Sequence, residues 1–274
     1  MLSSPKTLME YRKELHVSKS QIRTFLMCPQ KYCYQYVYGK EWESKPVALA
    51  FGSAVHEAVA DFYISLANEG NPLSVRELQD SFINGWTLAS KGDVPLDYNG
   101  KSEDELLDLG KRMLEVFIEE IKLRTIEAIE LPFSVPIYDP ATGEELPLKL
   151  VGAFDLIESD EDGNRSIVEL KTAAKKWSDG QVETELDSAI YSYAFKEMGC
   201  PTNGSETLVR FDVLLKTKKP SLETYFVTKT EKDQRKALSL ISKVLKAIEA
   251  GAFYPNHGWQ CNGCPFKQQC AEDI

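Results

Sequence analysis

The stretch Val151–Lys171, VGAFDLIESDEDGNRSIVELK, constrains the fold of this chain more than any other. Two strand-forming runs, VGAFDLIE and RSIVELK, flank the turn-rich DEDGN, the signature of a β-hairpin. With the turn centred on Asp162, Asp155 and Glu169 each lie seven residues from it and face one another across the ladder. Side chains alternate between faces along a strand, so Glu169 and Lys171 share a face and a paired Asp155 joins them. Two carboxylates and one ammonium then converge on a patch the width of a metal ion. A bulge in the turn would break that register.

At 274 residues the chain can bury a full core, as one large domain or two small ones. Its 43% hydrophobic and 27% charged residues are ordinary for a globular protein. The opening MLSSPKTLMEYRKELHV has no apolar leader, and no run approaches the roughly 18 apolar residues that cross a bilayer. A cytoplasmic protein without a membrane partner is the expectation. A net charge of −10 argues against broad electrostatic coating of nucleic acid, which draws on clustered Lys and Arg. It does not exclude a nucleic-acid enzyme, because carboxylates that hold cations count as negative here. Local basic clusters stand at Lys175–Lys176 and at Lys216, Lys218 and Lys219, where a solvated surface is an equal explanation.

The first dozen or so residues are polar and expected to be loose. Ser18 or Ser20 can cap a helix starting near Gln21 that Pro29 ends or kinks. In FGSAVHEAVADFYISLANEG, Gly52 and Ser53 introduce a helix of about 15 residues that Gly70 can end, with His56 in its first turn or so. A second amphipathic helix is expected from Glu103 to about Leu123, then a strand TIEAIELPFSVPIYD carrying Glu127 and Glu130 on opposite faces. After the hairpin come a helix over Glu183–Met198, strands LVRFDVLLK and LETYFVT, and a helix capped by Thr230 and Asp233. The order describes one mixed α/β domain whose strand order periodicity does not reveal.

Asp155 and Glu169 with Lys171 two residues on suit metal-assisted phosphodiester hydrolysis. Hard carboxylate oxygens bind Mg²⁺ or Mn²⁺, and a nearby lysine can orient or help deprotonate the attacking water. Paired charges on an exposed strand are the competing explanation. The six cysteines form a second constellation. Cys261, Cys264 and Cys270 offer three thiolates, and a fourth ligand, with Cys28, Cys33 and His257 as candidates, would complete a site. Four thiolates hold either zinc or a four-iron four-sulfur cluster. Cys200 is expected to be a plain thiol.

VGAFDLIE followed by SIVELKT resembles the core motif of the PD-(D/E)XK nuclease superfamily, and most closely its RecB-like exonuclease branch, which includes the CRISPR-associated exonucleases and the nuclease domain of AddB. AFGSAVHEAV resembles that branch's GxxxH helix, AIELPF the strand before the core, and GAFYPNHGWQCNGCPFKQQC its C-terminal cluster segment. The resemblance implies a restriction-endonuclease-like α/β core, a mixed central sheet flanked by helices, with an N-terminal helical part and a Cys-rich tail. It implies a single domain over 18–274 behind a loose segment 1–17.

It also assigns roles. Asp155 and Glu169 become metal-binding carboxylates, Lys171 the catalytic lysine, His56 a further ligand and Glu130 a further acidic group. Cys28, just before Pro29, becomes the fourth thiolate of a 4Fe-4S cluster with Cys261, Cys264 and Cys270, zinc being the alternative. The implied activity is a Mg²⁺- or Mn²⁺-dependent DNA exonuclease acting on single strands or strand ends, in repair, recombination or CRISPR adaptation. A structure-specific endonuclease and a non-catalytic nucleic-acid-binding protein are the alternatives. Degenerate nuclease domains lose a core carboxylate or the lysine, and this chain keeps them. One motif departs from the pattern: LDSAIYSYAF has Asp187 where the family's Gln-x-x-x-Tyr has glutamine, with Tyr191 kept as the expected substrate contact. An aspartate cannot donate the amide hydrogen bonds of glutamine.

Overall fold

A computed structural model of the chain describes residues 2, 4–200 and 206–273. Its centre is a six-stranded mixed sheet of β1 (His16–Ser18), β4 (Thr125–Val135), β5 (Lys149–Ser159), β6 (Arg165–Ala173), β7 (Thr207–Leu215) and β8 (Leu222–Lys229). A separate parallel pair, β2 (Lys45–Pro46) and β3 (Leu96–Asp97), sits at the surface. Helices α4 (Val47–Glu69), α5 (Val75–Ser90) and α6 (Glu103–Glu120) bury one sheet face under Phe51, Phe62, Phe82 and Phe117. Helices α8 (Leu186–Glu197) and α9 (Glu231–Glu249) bury the other with Phe195, Ile241 and Val244. Two helix-covered faces explain why VELK-type strands of the sheet read as nearly continuous apolar runs. Among the described residues the remaining α-helices are α1 (Leu8–Tyr11), α2 (Lys19–Met27), α3 (Pro29–Tyr32), α7 (Asp179–Thr184) and α10 (Lys267–Glu272), with a π-helical turn over Cys33–Val37 and a 3-10 turn over Trp259–Cys261.

The hairpin forms in the expected register, with Leu156 opposite Val168 and Ser159 opposite Arg165. The pairing along the two edges of β5 is less regular. Strand β4 lies antiparallel along one edge from Leu150 to Ser159. The other edge is shared, β1 taking Lys149–Val151 and β6 taking Leu156–Ser159. No described strand pairs with 152–155 on that edge, so the sheet splits there into a cleft between β1 and β6.

A second irregularity coincides with the split. Ala128 and Leu131 both enter the core under α8 and α9, whereas Ile129 packs toward α4, so the alternation of β4 reverses between Ile129 and Leu131. The reversal falls on Glu130, whose φ of 46° lies in the left-handed region that non-glycine residues avoid. Strand β5 reverses at the facing position, because Phe154 and Leu156 reach opposite cores.

Several sequence expectations need correcting. Helix α4 begins at Val47, five residues before Gly52, and runs for 23 residues. With a mean hydropathy of 1.3 over an 18-residue window it is also, by length and composition only, apolar enough to cross a membrane, contrary to the expectation that no run is, and it packs here against α5, α6 and the sheet. Helix α5 was not anticipated, although Ser74 and Glu77 form a capping box at its start. The helix expected over Glu183–Met198 is two, α7 and α8, broken at Glu185, whose backbone is extended. The segment expected to be loose carries α1 with its own capping box, and β1 enters the sheet from His16. Gly110 has a packing reason: a Cβ there would meet the Phe82 ring at 2.1 Å, so its absence lets α6 close on α5.

A left-handed glutamate stores on the order of 1–2 kcal/mol that glycine would release, less glycine's larger chain entropy. Glu130→Gly should therefore melt at or up to roughly 4 °C above the wild type in divalent-free buffer, while Glu130→Ala gains nothing. Equal melting of the two variants would count against strain at this position.

Candidate active site

The ladders align three carboxylates across the split. Continuing the β5–β6 register by one residue places Asp155 opposite Glu169, and the β4–β5 register places Glu130 opposite Asp155. The backbone ladder stops at this row. The Asp155 carboxylate takes over, its Oδ2 accepting the Leu170 N–H at 2.9 Å as a strand carbonyl otherwise would. From above, α4 brings His56 to the row, Nδ1 standing 3.7 Å from Asp155 Oδ2. One ligand atom each from His56, Glu130 and Asp155 lie within 4.8 Å of one another. Ligands bound at about 2.1 Å to a shared divalent ion stand at most about 4.2 Å apart, so a small closure would complete the set.

Glu169 is 2% exposed and holds its charge through two lysines. Its Oε1 accepts from Lys19 Nζ at 2.7 Å and from Lys171 Nζ. Its Oε2 is buried and, among the described residues, has no hydrogen-bond partner. A buried carboxylate oxygen without a donor is costly, and a cation is the partner that would satisfy it. On this ground, and because the donors are hard oxygens with one imidazole, the residues fit a Mg²⁺ or Mn²⁺ ion.

Protonation follows from burial and charge. Burial, then the Glu169 charge, raises the Asp155 carboxyl well above the usual range, and the same causes raise that of Glu130 at the exposed rim. Burial lowers His56, leaving a neutral imidazole able to ligate. Burial also works against charge on Glu169, but the ammonium of Lys19, then that of Lys171, overcome it and hold its carboxyl at about 2.

The residues that spacing could not supply are Lys19 and Arg23, and both meet Asp187, which the departure from Gln-x-x-x-Tyr had singled out without a role. Lys19 follows β1 directly, so the strand that bounds the cleft also delivers this ammonium. Asp187 is buried at the first turn of α8 and accepts from Lys171 at 3.0 Å and from Arg23 Nε at 2.7 Å, with Lys19 at 3.1 Å. Where an amide would donate, a carboxylate here gathers three cations. Tyr191, expected at the substrate, is 3% exposed. Its hydroxyl meets Lys19 Nζ at 2.6 Å and its ring packs on Phe154, so it steadies Lys19 and shows no face to a strand. Glu127, also on β4, is tied to Arg165 at 2.7 Å and takes no part.

Cys28, Cys261, Cys264 and Cys270 line one cavity of about 230 Å³ between the start of α3 and the tail, with His257 also on its wall. Cys33 does not line it and is 1% exposed elsewhere, and Cys200 packs beside the α8 core. Burial, then the neighbouring Cys28, Cys264 and Cys261, raise the Cys270 thiol. The four sulfurs do not close to the 4.8 Å spacing that His56, Glu130 and Asp155 reach. A zinc tetrahedron at about 2.3 Å per bond needs sulfurs nearly 4 Å apart, so none is preformed.

Among known proteins, the family model described as the PD-(D/E)XK nuclease superfamily matches residues 16–271. No curated protein matches the sequence. The crystal structure of a candidate exonuclease from Eubacterium rectale is 12% identical, with a TM-score of 0.49 over 100% of this chain and 94% of that one. The crystal structure of SSO0001 is 14% identical, with a TM-score of 0.44 over 97% and 93%.

Because Asp155 keeps its proton to higher pH than a free carboxyl, a metal entering the site displaces that proton. Mn²⁺ affinity should fall as pH drops through the raised Asp155 value and level off above it. Calorimetry near pH 6 in two buffers of different ionisation enthalpy should show proton release, diminished in Asp155→Asn. Buffer-independent heats for the wild type would contradict this assignment of the proton.

Proposed function

Because this chain belongs to the PD-(D/E)XK nuclease superfamily, we propose that it is a divalent-metal-dependent exonuclease that hydrolyses DNA phosphodiester bonds on single strands or strand ends. The observation that carries the reading is the row Glu130–Asp155–Glu169 under His56, with an unsatisfied Glu169 oxygen and Lys171 on the same face. His56, Glu130, Asp155 and Glu169 would hold Mg²⁺ or Mn²⁺. Such an ion, when bound, lowers the pKa of a water and offsets charge at phosphorus.

The protein's own part is positional. Lys171 Nζ donates to Glu169 and Asp187, which leaves one N–H to direct at a water or a phosphate oxygen. Asp187 keeps that ammonium from folding back wholly onto Glu169. Lys19 offsets the second negative charge, so the cleft is not too anionic to admit a phosphate. The reading is tested by digesting an end-labelled single strand and a circular one with Mg²⁺ or Mn²⁺. The linear strand should shorten from an end, the circle should survive, and Lys171→Ala should be slower by ~100-fold or more. No cleavage by wild type, or equal cleavage by the variant, sinks it; a cut circle makes the enzyme an endonuclease instead.

We further propose the RecB-like branch, and a 4Fe-4S cluster on Cys28, Cys261, Cys264 and Cys270, in a protein of DNA repair, recombination or CRISPR adaptation. Support comes from the Gly52-x-x-x-His56 motif on α4 and from a 230 Å³ cavity whose sulfurs stand wider than one ion requires. The ligands tie Cys28 to a tail more than 230 residues on, so the cluster would clamp the termini and stay out of hydrolysis. Anaerobically purified protein should be brown, and Cys264→Ser should lose colour and melt several degrees lower. A colourless zinc protein would replace the cluster by zinc, and unchanged melting would remove the clamp.

A further inference from the structure

A second cavity, of about 320 Å³, opens where α4 begins. Its walls are Phe51 and its neighbours on α4, the turn bearing Tyr98, Asn99 and Lys101, Lys216 just past β7, and Asn262 with Gly263 of the tail. Of the two explanations open for the basic cluster at Lys216, a plain solvated surface does not describe Lys216 itself. Its ammonium stands 5.8 Å from the Phe51 ring centroid in a half-buried position. Among the described residues neither Lys216 nor Lys101 has a carboxylate partner. Asp97 lines the same cavity but is turned to the Asn99 N–H at 2.9 Å. Burial, then Lys101, push the Lys216 ammonium below the usual lysine range, so two cations face a space whose one lining carboxylate, Asp97, pairs with neither of them. Pro46, the N-cap of α4, offers no side-chain acceptor to the first-turn N–H groups, which adds partial positive charge to the same wall.

The distance to the cleft is set twice. Lys171 pairs with Val213 across the β6–β7 ladder, and Lys216 lies three residues on, about 10 Å at strand rise. Along α4, Ala48 on the cavity wall is eight residues from His56, about 12 Å at helix rise. Phosphates of one strand follow one another at about 3.4 Å along a duplex axis, so either route spans roughly three nucleotides.

We propose that Lys216 and Lys101 form a phosphate subsite that grips the DNA backbone about three nucleotides from the scissile bond, with the half-buried Tyr98 offering apolar surface to the sugar or base. The proposal rests on the nuclease reading for the path of the strand, but its test needs no cleavage. Binding of a labelled single strand is followed by anisotropy in chelator across a salt series, with oligonucleotides of about 3 and about 12 nucleotides. Lys216→Ala should weaken the longer strand about fivefold or more and flatten its log–log salt slope by about 0.7 per lost contact, leaving the shorter one unchanged. Lys101→Ala should act in the same direction, and Lys216→Arg should restore the slope.

Unchanged affinity and slope in a Lys216→Ala protein that melts normally overturns the subsite. So does equal weakening of both lengths, or inorganic phosphate competing as well as a strand, which would make it a site for the free ion. If Lys216→Ala misfolds, Lys101→Ala at the exposed rim carries the same comparison. A wild type that binds with this slope but never cleaves sinks the nuclease reading and keeps the subsite; active cleavage with an unaltered slope does the reverse.

Discussion

Two lysines shared between two buried carboxylates hold the cleft together. Glu169 and Asp187, both 2% exposed or less, would be costly as unpaired charges, and Lys19 and Lys171 each touch both. These contacts join three separate parts of the chain: the β1–α2 junction, the end of β6 and the start of α8. Removing one partner would leave the others buried and uncompensated. The split between β1 and β6 is thus closed by ion pairs where a continuous sheet would use backbone hydrogen bonds. That substitution is what makes the site chemically open, since side chains can change partners and a ladder cannot.

The surrounding regularity makes the local irregularity tolerable. Strand β4 is paired with β5 on both sides of Glu130, so its left-handed backbone is held from either end. The reversal of β4 and β5 at facing positions turns Glu130 and Asp155 out of the core rhythm and toward His56. A second buried ion group, Glu158, Arg210 and Asp212, lies on β5 and β7 behind this row. Its carboxylates stay paired to Arg210, so the negative charge able to recruit a cation is concentrated at the row itself.

The sequence carried the part of this that is local. DEDGN fixes the turn, and the period of two then carries Asp155 and Glu169 toward facing positions, in the register that the ladder keeps up to Leu156 and Val168. Capping residues marked α2 and α9, apolar periodicity marked α6, and the spacing of Cys261, Cys264 and Cys270 was plain. What periodicity cannot contain is a partner 150 residues away, which is how far Lys19 stands from Glu169. The same limit explains Tyr191: its helix position was legible, but whether it faced solvent or Lys19 depended on where β1 inserts. Glu130's conformation was hidden for another reason, since a glutamate in a strand pattern gives no sign of a positive φ. Helix α4 was started late because Gly52 reads as a boundary, while tertiary packing carries the helix through it.

The tail connects what would otherwise be separate sites. Residues Cys261 and Cys264 face the thiol cavity while Asn262 and Gly263 between them face the lysine cavity at the start of α4. A ligand that fixes the two thiolates fixes the wall of the second cavity as well, because only two residues lie between. Closing a loop of more than 230 residues removes much chain entropy from the unfolded state, but the cost grows only logarithmically with length. Most of what the proposed clamp would contribute is therefore local: it would hold a short, glycine-containing loop, with Gly263 at φ 73°, in one arrangement beside α4. Since α4 also carries His56, the order of the tail and the geometry of the metal row share one rigid helix.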